Sequence, residues 1–190
     1  MRSLKIIVCL LIFLFISFRY GFAFTTNNTT ITRTFDKNEA AIGQSIAVTV
    51  TFTNSETSDL RGFYYAEQIP QGLAVTTTSV KINGNPISNY FFESGSVGDV
   101  YPGNVAYRWI LETPSEFSEN NPISTDSIVE IIYSVTSARA GTFNFDEFNW
   151  VGYYQGSSRA AFGNSEDVDK KTIRFRGISD FIFILLLDDL

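Results

Sequence analysis

Residues 45–53 read Ser-Ile-Ala-Val-Thr-Val-Thr-Phe-Thr, a strict alternation of apolar and small or polar side chains. In an extended chain Ile46, Val48, Val50 and Phe52 fall on one face and Ala47, Thr49, Thr51 and Thr53 on the other, because successive side chains point to opposite sides. A helix would scatter the same residues around its circumference. The pattern therefore predicts a strand with one buried and one wet face, the signature of an antiparallel sheet. Threonine suits the wet face, since β-branching fits a pleated surface. Downstream, Ile69-Pro70-Gln71-Gly72-Leu73 supplies a proline that presets φ and a glycine that accepts a left-handed conformation, together a turn.

The same reasoning extends along the chain. Ile31 to Phe35 predicts a first strand, with Ala40 to Gly43 as a bend before the second. Gly62 to Gln68 and Val75 to Ile82 follow, and Asn83-Gly84 is a hairpin signal that returns the chain through Pro86 and Ile87. Val105 to Leu111 and Ile128 to Val135 alternate again. Thr142 to Tyr154 reads as an aromatic-rich strand pair or one long bent strand, and Lys171 to Arg176 closes the domain. Glu93 to Gly103 and Pro114 to Asp126 are rich in Gly, Ser, Asn and Pro and predict long surface connections. No stretch beyond residue 23 keeps a helical period, so the expectation is an all-β antiparallel β-sandwich of roughly seven to ten strands over residues 31–176.

The segment before it has a different character. Arg2 and Lys5 precede an apolar run from Ile6 to Ile16, and Gly21-Phe22-Ala23 places small residues where a leader peptidase cuts. Charged start, short apolar middle and small-x-small ending predict a secretory signal peptide over residues 1–23. The run is short of the roughly 20 apolar residues that a membrane anchor needs, and Arg19 interrupts its continuation. Cys9 lies inside the run behind Val8, the wrong setting for a lipid attachment. Cleavage after Ala23 removes three of the 14 basic residues and none of the 20 acidic ones, which takes the formal net charge from −6 to −9. It also removes the one cysteine, so the exported chain relies on its core and not on disulfides, a usage that fits bacterial surfaces. Residues 24–30 form a polar leader in which Asn27-Asn28-Thr29-Thr30 matches a glycosylation pattern that a bacterium would leave unused.

Composition also excludes chemistry. The chain has no histidine, which rules out Ser-His-Asp catalysis and histidine-ligated metal sites. Without a thiol in the exported chain, the remaining enzymatic option is a carboxylate pair of the glycosidase type, and no motif selects one, so the expectation is a non-enzyme. An acidic chain with scattered arginines lacks the footprint of a nucleic-acid binder.

Taken together, Gly43, the strand from Val48 to Thr53 ending at Asn54, and Glu67-Gln68-Ile69-Pro70-Gln71-Gly72-Leu73 resemble the conserved-repeat domain of bacterial and archaeal surface and secreted proteins, domain of unknown function eleven. That pattern has a glycine, a Val/Thr strand, an Asn turn, and an acidic residue shortly before Leu-Pro-x-Gly-Leu. Ile131-Ile132-Tyr133-Ser134-Val135 with Ala140-Gly141-Thr142-Phe143 is similar to its closing strand pair. The resemblance covers residues 31–145 in one copy, with Gln68 inserted and Ile69 in place of leucine. It implies an immunoglobulin-like fold in a structural or adhesive module, secreted or at the cell surface, whose motif residues hold shape.

Four features are candidates for more than shape. Trp109, Trp150, Tyr153 and Tyr154 could form an aromatic platform for sugar rings, the basis of an alternative reading as a carbohydrate-binding module; core packing is the competing use of such residues. Glu166, Asp167 and Asp169 place three carboxylates in one loop and offer hard oxygen ligands to calcium, the one cofactor considered, although a solvated turn has the same composition. Lys37 could enter a Lys–Asn crosslink, for which the sequence singles out neither the Asn nor a catalytic acid. Finally, residues 177–190 form an apolar tail in which Phe181 to Leu187 is too short to span a membrane; it could pack on its own sheet or self-associate with a neighbour's sheet edge. The expected partners are a surface protein or a glycan, not a nucleic acid.

Overall fold

The computed structural model describes residues 30–95, 102–111, 122–145, 149–155, 158–164 and 171–177. Residues 1–29, the carboxylates Glu166, Asp167 and Asp169, and residues 178–190 of the apolar tail lie outside the described residues.

The described residues form strands in three sheets. The first sheet contains β1 (Thr30–Phe35), β3 (Ser45–Thr53), β9 (Ile128–Ser137), β5 (Leu73–Ile82) and β6 (Asn85–Ile87), in that order. The opposing sheet runs β12 (Ser158–Asn164), β11 (Asn149–Gln155), β4 (Arg61–Pro70), β8 (Asn104–Ile110), β7 (Phe91–Ser94). A smaller third sheet orders β10 (Gly141–Phe145), β13 (Lys171–Arg176) and β2 (Glu39–Ala41).

Strand β3 has the boundaries its alternation predicts, and Ile46, Val48, Val50 and Phe52 are all buried. Each such side chain withdrawn from water contributes about 1.5–3 kcal/mol before conformational entropy is counted. The two large sheets meet through rings. Phe52 packs on Phe63 at 4.8 Å between centroids, and Tyr133 stacks on Trp109 at 5.0 Å. Phe35 of β1 meets Phe145 of β10 edge-on at 5.0 Å, which joins the third sheet to the same core.

The turns follow their residues. Gly72 sits at φ +93° between β4 and β5, and Asn83-Gly84 has φ values of 52° and 77°, the left-handed pair that a tight hairpin requires. The Asn83 side chain accepts a hydrogen bond from the Ile128 N–H at 2.8 Å and donates to Ser127 Oγ at 3.1 Å, tying the hairpin to β9. Asn54 caps the end of β3. Its Oδ1 accepts from the Glu56 N–H at 3.0 Å while its Nδ2 donates to the carbonyls of Ile123 at 2.8 Å and Ser58 at 3.2 Å.

The structure corrects the predicted fold in several places. There are 13 strands among the described residues, not seven to ten, and the pairing is not wholly antiparallel, because β2 and β13 run parallel. The bend expected at Ala40 to Gly43 begins with strand β2, whose three residues are too few to show a period. The region from Thr142 to Tyr154 is a strand pair, but its members β10 and β11 belong to different sheets. Strand β7 takes the start of the polar stretch at Glu93, and Ile123 within the other expected loop is fully buried and bridges Leu60. In β5 the ladder with β9 slips between Thr77 and Ser79, a bulge that moves the buried positions from Leu73 to Val80 and so breaks the alternation.

Candidate functional site

Inward positions of β1 are occupied by Ile31, Arg33 and Phe35, and those of β4 by Phe63, Tyr65, Glu67 and Ile69. The alternation that buries apolar neighbours thus also drives one cation and one anion into the core, from opposite sheets. Both side chains are 0% exposed, and they meet in an ion pair between Arg33 Nη1 and Glu67 Oε1. The second carboxylate oxygen, Oε2, accepts from the Tyr65 hydroxyl at 2.8 Å and from the Tyr133 hydroxyl. Glu67 therefore takes donors from β1, β4 and β9, which span both large sheets.

Aromatic faces surround the cation. The Arg33 guanidinium carbon lies 5.7 Å from the Phe35 ring centroid and 5.4 Å from that of Phe145, a placement that favours a positive charge by cation–π attraction. Burial works against the charged guanidinium, but the Glu67 carboxylate and the tyrosine oxygens outweigh it and raise the Arg33 pKa above its ordinary value. Burial pushes the Tyr133 phenol well above the usual tyrosine range, with Glu67 acting in the same direction and Arg33 opposing. The cluster is thus a fixed Arg⁺–Glu⁻ pair with two neutral phenols donating to it. Its chemistry is that of a polar clasp between sheets.

Among the sequence-predicted site residues, Trp109 is fully buried. Its indole N–H donates to Thr77 Oγ1 at 2.8 Å and its ring stacks on Tyr133, so it presents no face to a sugar. The reason is parity, since in β8 Trp109 pairs with Tyr65 of β4 and shares its inward face. Trp150, Tyr153 and Tyr154 lie on β11, where Trp150 pairs with Ala66 and Tyr154 with Arg61; their side chains are outside the described residues. Among the described residues no group of three or more His, Cys, Asp or Glu is placed to hold a metal, and no helix is long and apolar enough to cross a membrane. Glu67 entered the sequence reading as a motif residue only, and Arg33 was missed. Arg33 had a signal, a charge at an inward position of the alternating strand β1; Glu67 had none of that kind, because β4 is buried on both faces from Tyr65 to Pro70 and shows no alternation.

The chain matches no family model and no curated protein. Solved structures do match. The 35 kDa C-terminal fragment of the major pilin GBS80 of Streptococcus agalactiae aligns with a TM-score of 0.51 at 14% identity, covering 80% of this chain and 57% of that one. The fold is immunoglobulin-like. This chain therefore spans little more than half of that fragment. The major pilin subunit BcpA of Bacillus cereus aligns at TM-score 0.45 and 8% identity over 77% of this chain and 40% of that one. A non-cellulosomal cohesin from Archaeoglobus fulgidus aligns at TM-score 0.43 and 18% identity, covering 82% and 96%. Without a family match, the resemblance to the conserved-repeat domain extends to the strand and turn pattern and not to membership.

Proposed function

We propose that this chain is an extracytoplasmic β-sandwich module with a structural or adhesive role at a bacterial cell surface, acting through contact with other proteins and not through catalysis. The observation that carries this reading is the immunoglobulin-like fold shared with a fragment of a streptococcal major pilin. The signal-peptide pattern of residues 1–23 and the absence of cysteine from residues 24–190 support it, since such a chain is built for export and for stability without disulfides. The conserved-repeat pattern around Glu67 to Leu73 points to the same class of surface module. Trp109, one of the four aromatics behind the carbohydrate-binding alternative, belongs to the core and does not support it.

The test is localisation with the native leader. Expressed in a bacterial host, the chain is expected to lose residues 1–23 and to be digested by protease added to intact cells or recovered from the medium. Retention in the cytoplasm with the leader intact would overturn the reading. A glycan array probed with the chain from Phe24 onward is expected to stay blank, and a specific sugar signal would favour the alternative.

A further inference from the structure

The path of the chain through β1, β2 and β13 suggests what a surface module of this kind could withstand. Strand β1 runs antiparallel to β3, with Thr30 opposite Thr53 and Phe35 opposite Val48. The Asp36 N–H then donates to the Ala47 carbonyl at 3.0 Å, still on β3. From there the chain leaves the first sheet and joins the third, where Glu39, Ala40 and Ala41 of β2 pair with Arg174, Phe175 and Arg176 of β13. This pairing is parallel. The Arg174 N–H donates to the Asn38 carbonyl at 2.8 Å and the Ile42 N–H to the Arg176 carbonyl at 3.0 Å, extending the ladder at both ends. Arg176 Nη2 also bonds Glu39 Oε1 at 2.7 Å, a side-chain tie between the same two strands.

Parallel pairing fixes how tension acts. A pull entering before Thr30 and leaving after Arg176 draws β2 and β13 past each other along their length, because the loaded ends lie at opposite ends of the pair. Hydrogen bonds spaced evenly along a parallel ladder then share the load and must fail together. If the loaded ends lay at one end of the pair, the same bonds would open singly. The loaded segment is held a second time. Arg33 on β1 is sunk in the core on Glu67 of the opposing sheet, so β1 cannot slide without drawing a buried charge out of its pair.

We propose that β2 and β13 form a shear clamp, reinforced by the buried Arg33–Glu67 pair, and that the module bears tension applied through its two flanks. This rests on the structural reading above, but its test is separate, because forced unfolding is measured on the purified chain wherever the protein resides. Residues 24–190 contain no cysteine, so engineered thiols give unique handles for single-molecule pulling. One pair of handles flanks the domain, before Thr30 and after Gly177. The other joins a Gln44→Cys handle to the one after Gly177, which opens the β2–β13 pair from the Arg176 end.

The flanking geometry is expected to require at least about twofold more force than the unzipping geometry at one pulling speed, because forced unfolding reports the barrier along the loaded path. Glu39→Gln, an exposed change that leaves the core intact, lowers the force in the flanking geometry. Equal forces in the two geometries of the unsubstituted chain would overturn the clamp, and that comparison needs no core variant to fold. Failure of export in the localisation test would overturn the surface role and leave the mechanical result standing.

Discussion

Replacing Arg33 by Met removes the cation and keeps much of its length and volume. Glu67 stays in place, fully buried, with the Tyr65 and Tyr133 hydroxyls as its donors among the described residues. Breaking a buried pair by removing one partner costs about 3–5 kcal/mol, since the remaining charge is left uncompensated. Domains of this size are stable by about 5–15 kcal/mol, so Arg33→Met is expected to consume about a fifth or more of the total. Glu67→Gln removes the counter-charge of the buried guanidinium and is expected to carry a similar cost. The double variant Arg33→Met/Glu67→Gln has no buried charge, and Gln still offers an acceptor to the two phenols. It is therefore expected to be more stable than either single variant, with a coupling of at least about 2 kcal/mol in the double-mutant cycle. Urea titration followed by tryptophan fluorescence, to which Trp109 against Tyr133 in the same core contributes, supplies the free energies. Additive single-variant losses, or an Arg33→Met loss below about 1 kcal/mol, would refute the reasoning, because a pair that buried cannot be energetically silent.

Other outcomes follow from the same contacts. Tyr133 is neutral in the fold with its pKa raised, so the stability it contributes is full below the free phenol's value of about 10 and is lost as pH rises through its higher folded value. Denaturation midpoints are expected to fall above about pH 10 and less steeply so in Tyr133→Phe; an unchanged slope in that variant would contradict the assignment. Asn54→Ala deletes a side chain that satisfies two carbonyls and one N–H in a buried turn, with an expected loss of about 2–3 kcal/mol by urea titration. Gly72→Ala forces a Cβ onto a residue at φ +93°, with an expected cost of about 1–2 kcal/mol and no change in m-value.

Several strands long enough to show a period were legible in the sequence, although the seven-residue β12 (Ser158–Asn164) was not anticipated. Ser45–Thr53 and Lys171–Arg176 begin and end where their side-chain alternation does. Glu39–Ala41 was not legible, since three residues carry no period and its partner β13 lies far along the chain. In Leu73–Ile82 the bulge at Thr78 reverses parity within a Thr-rich run, so side-chain type alone could not say which threonine faces in. The aromatic platform failed at Trp109 for a related reason: a tryptophan on a strand declares size but not side, and its ladder partner Tyr65 faces the core. The clasp was half legible. Arg33 between Ile31 and Phe35 is a charge on an apolar face, whereas Glu67 lies in a stretch buried on both faces, with no alternation to mark it.

The most direct test of the account combines the clasp with the clamp. Pulled from its two flanks, Arg33→Met is expected to unfold at lower force than the unsubstituted chain, because β1 lies on the loaded path. Pulled between Gln44 and the segment after Gly177, the same variant is expected to match the unsubstituted chain, because that geometry opens β2 and β13 without moving β1. An equal loss of force in both geometries would show Arg33 to be a general stabiliser with no place in bearing load, and would contradict the account.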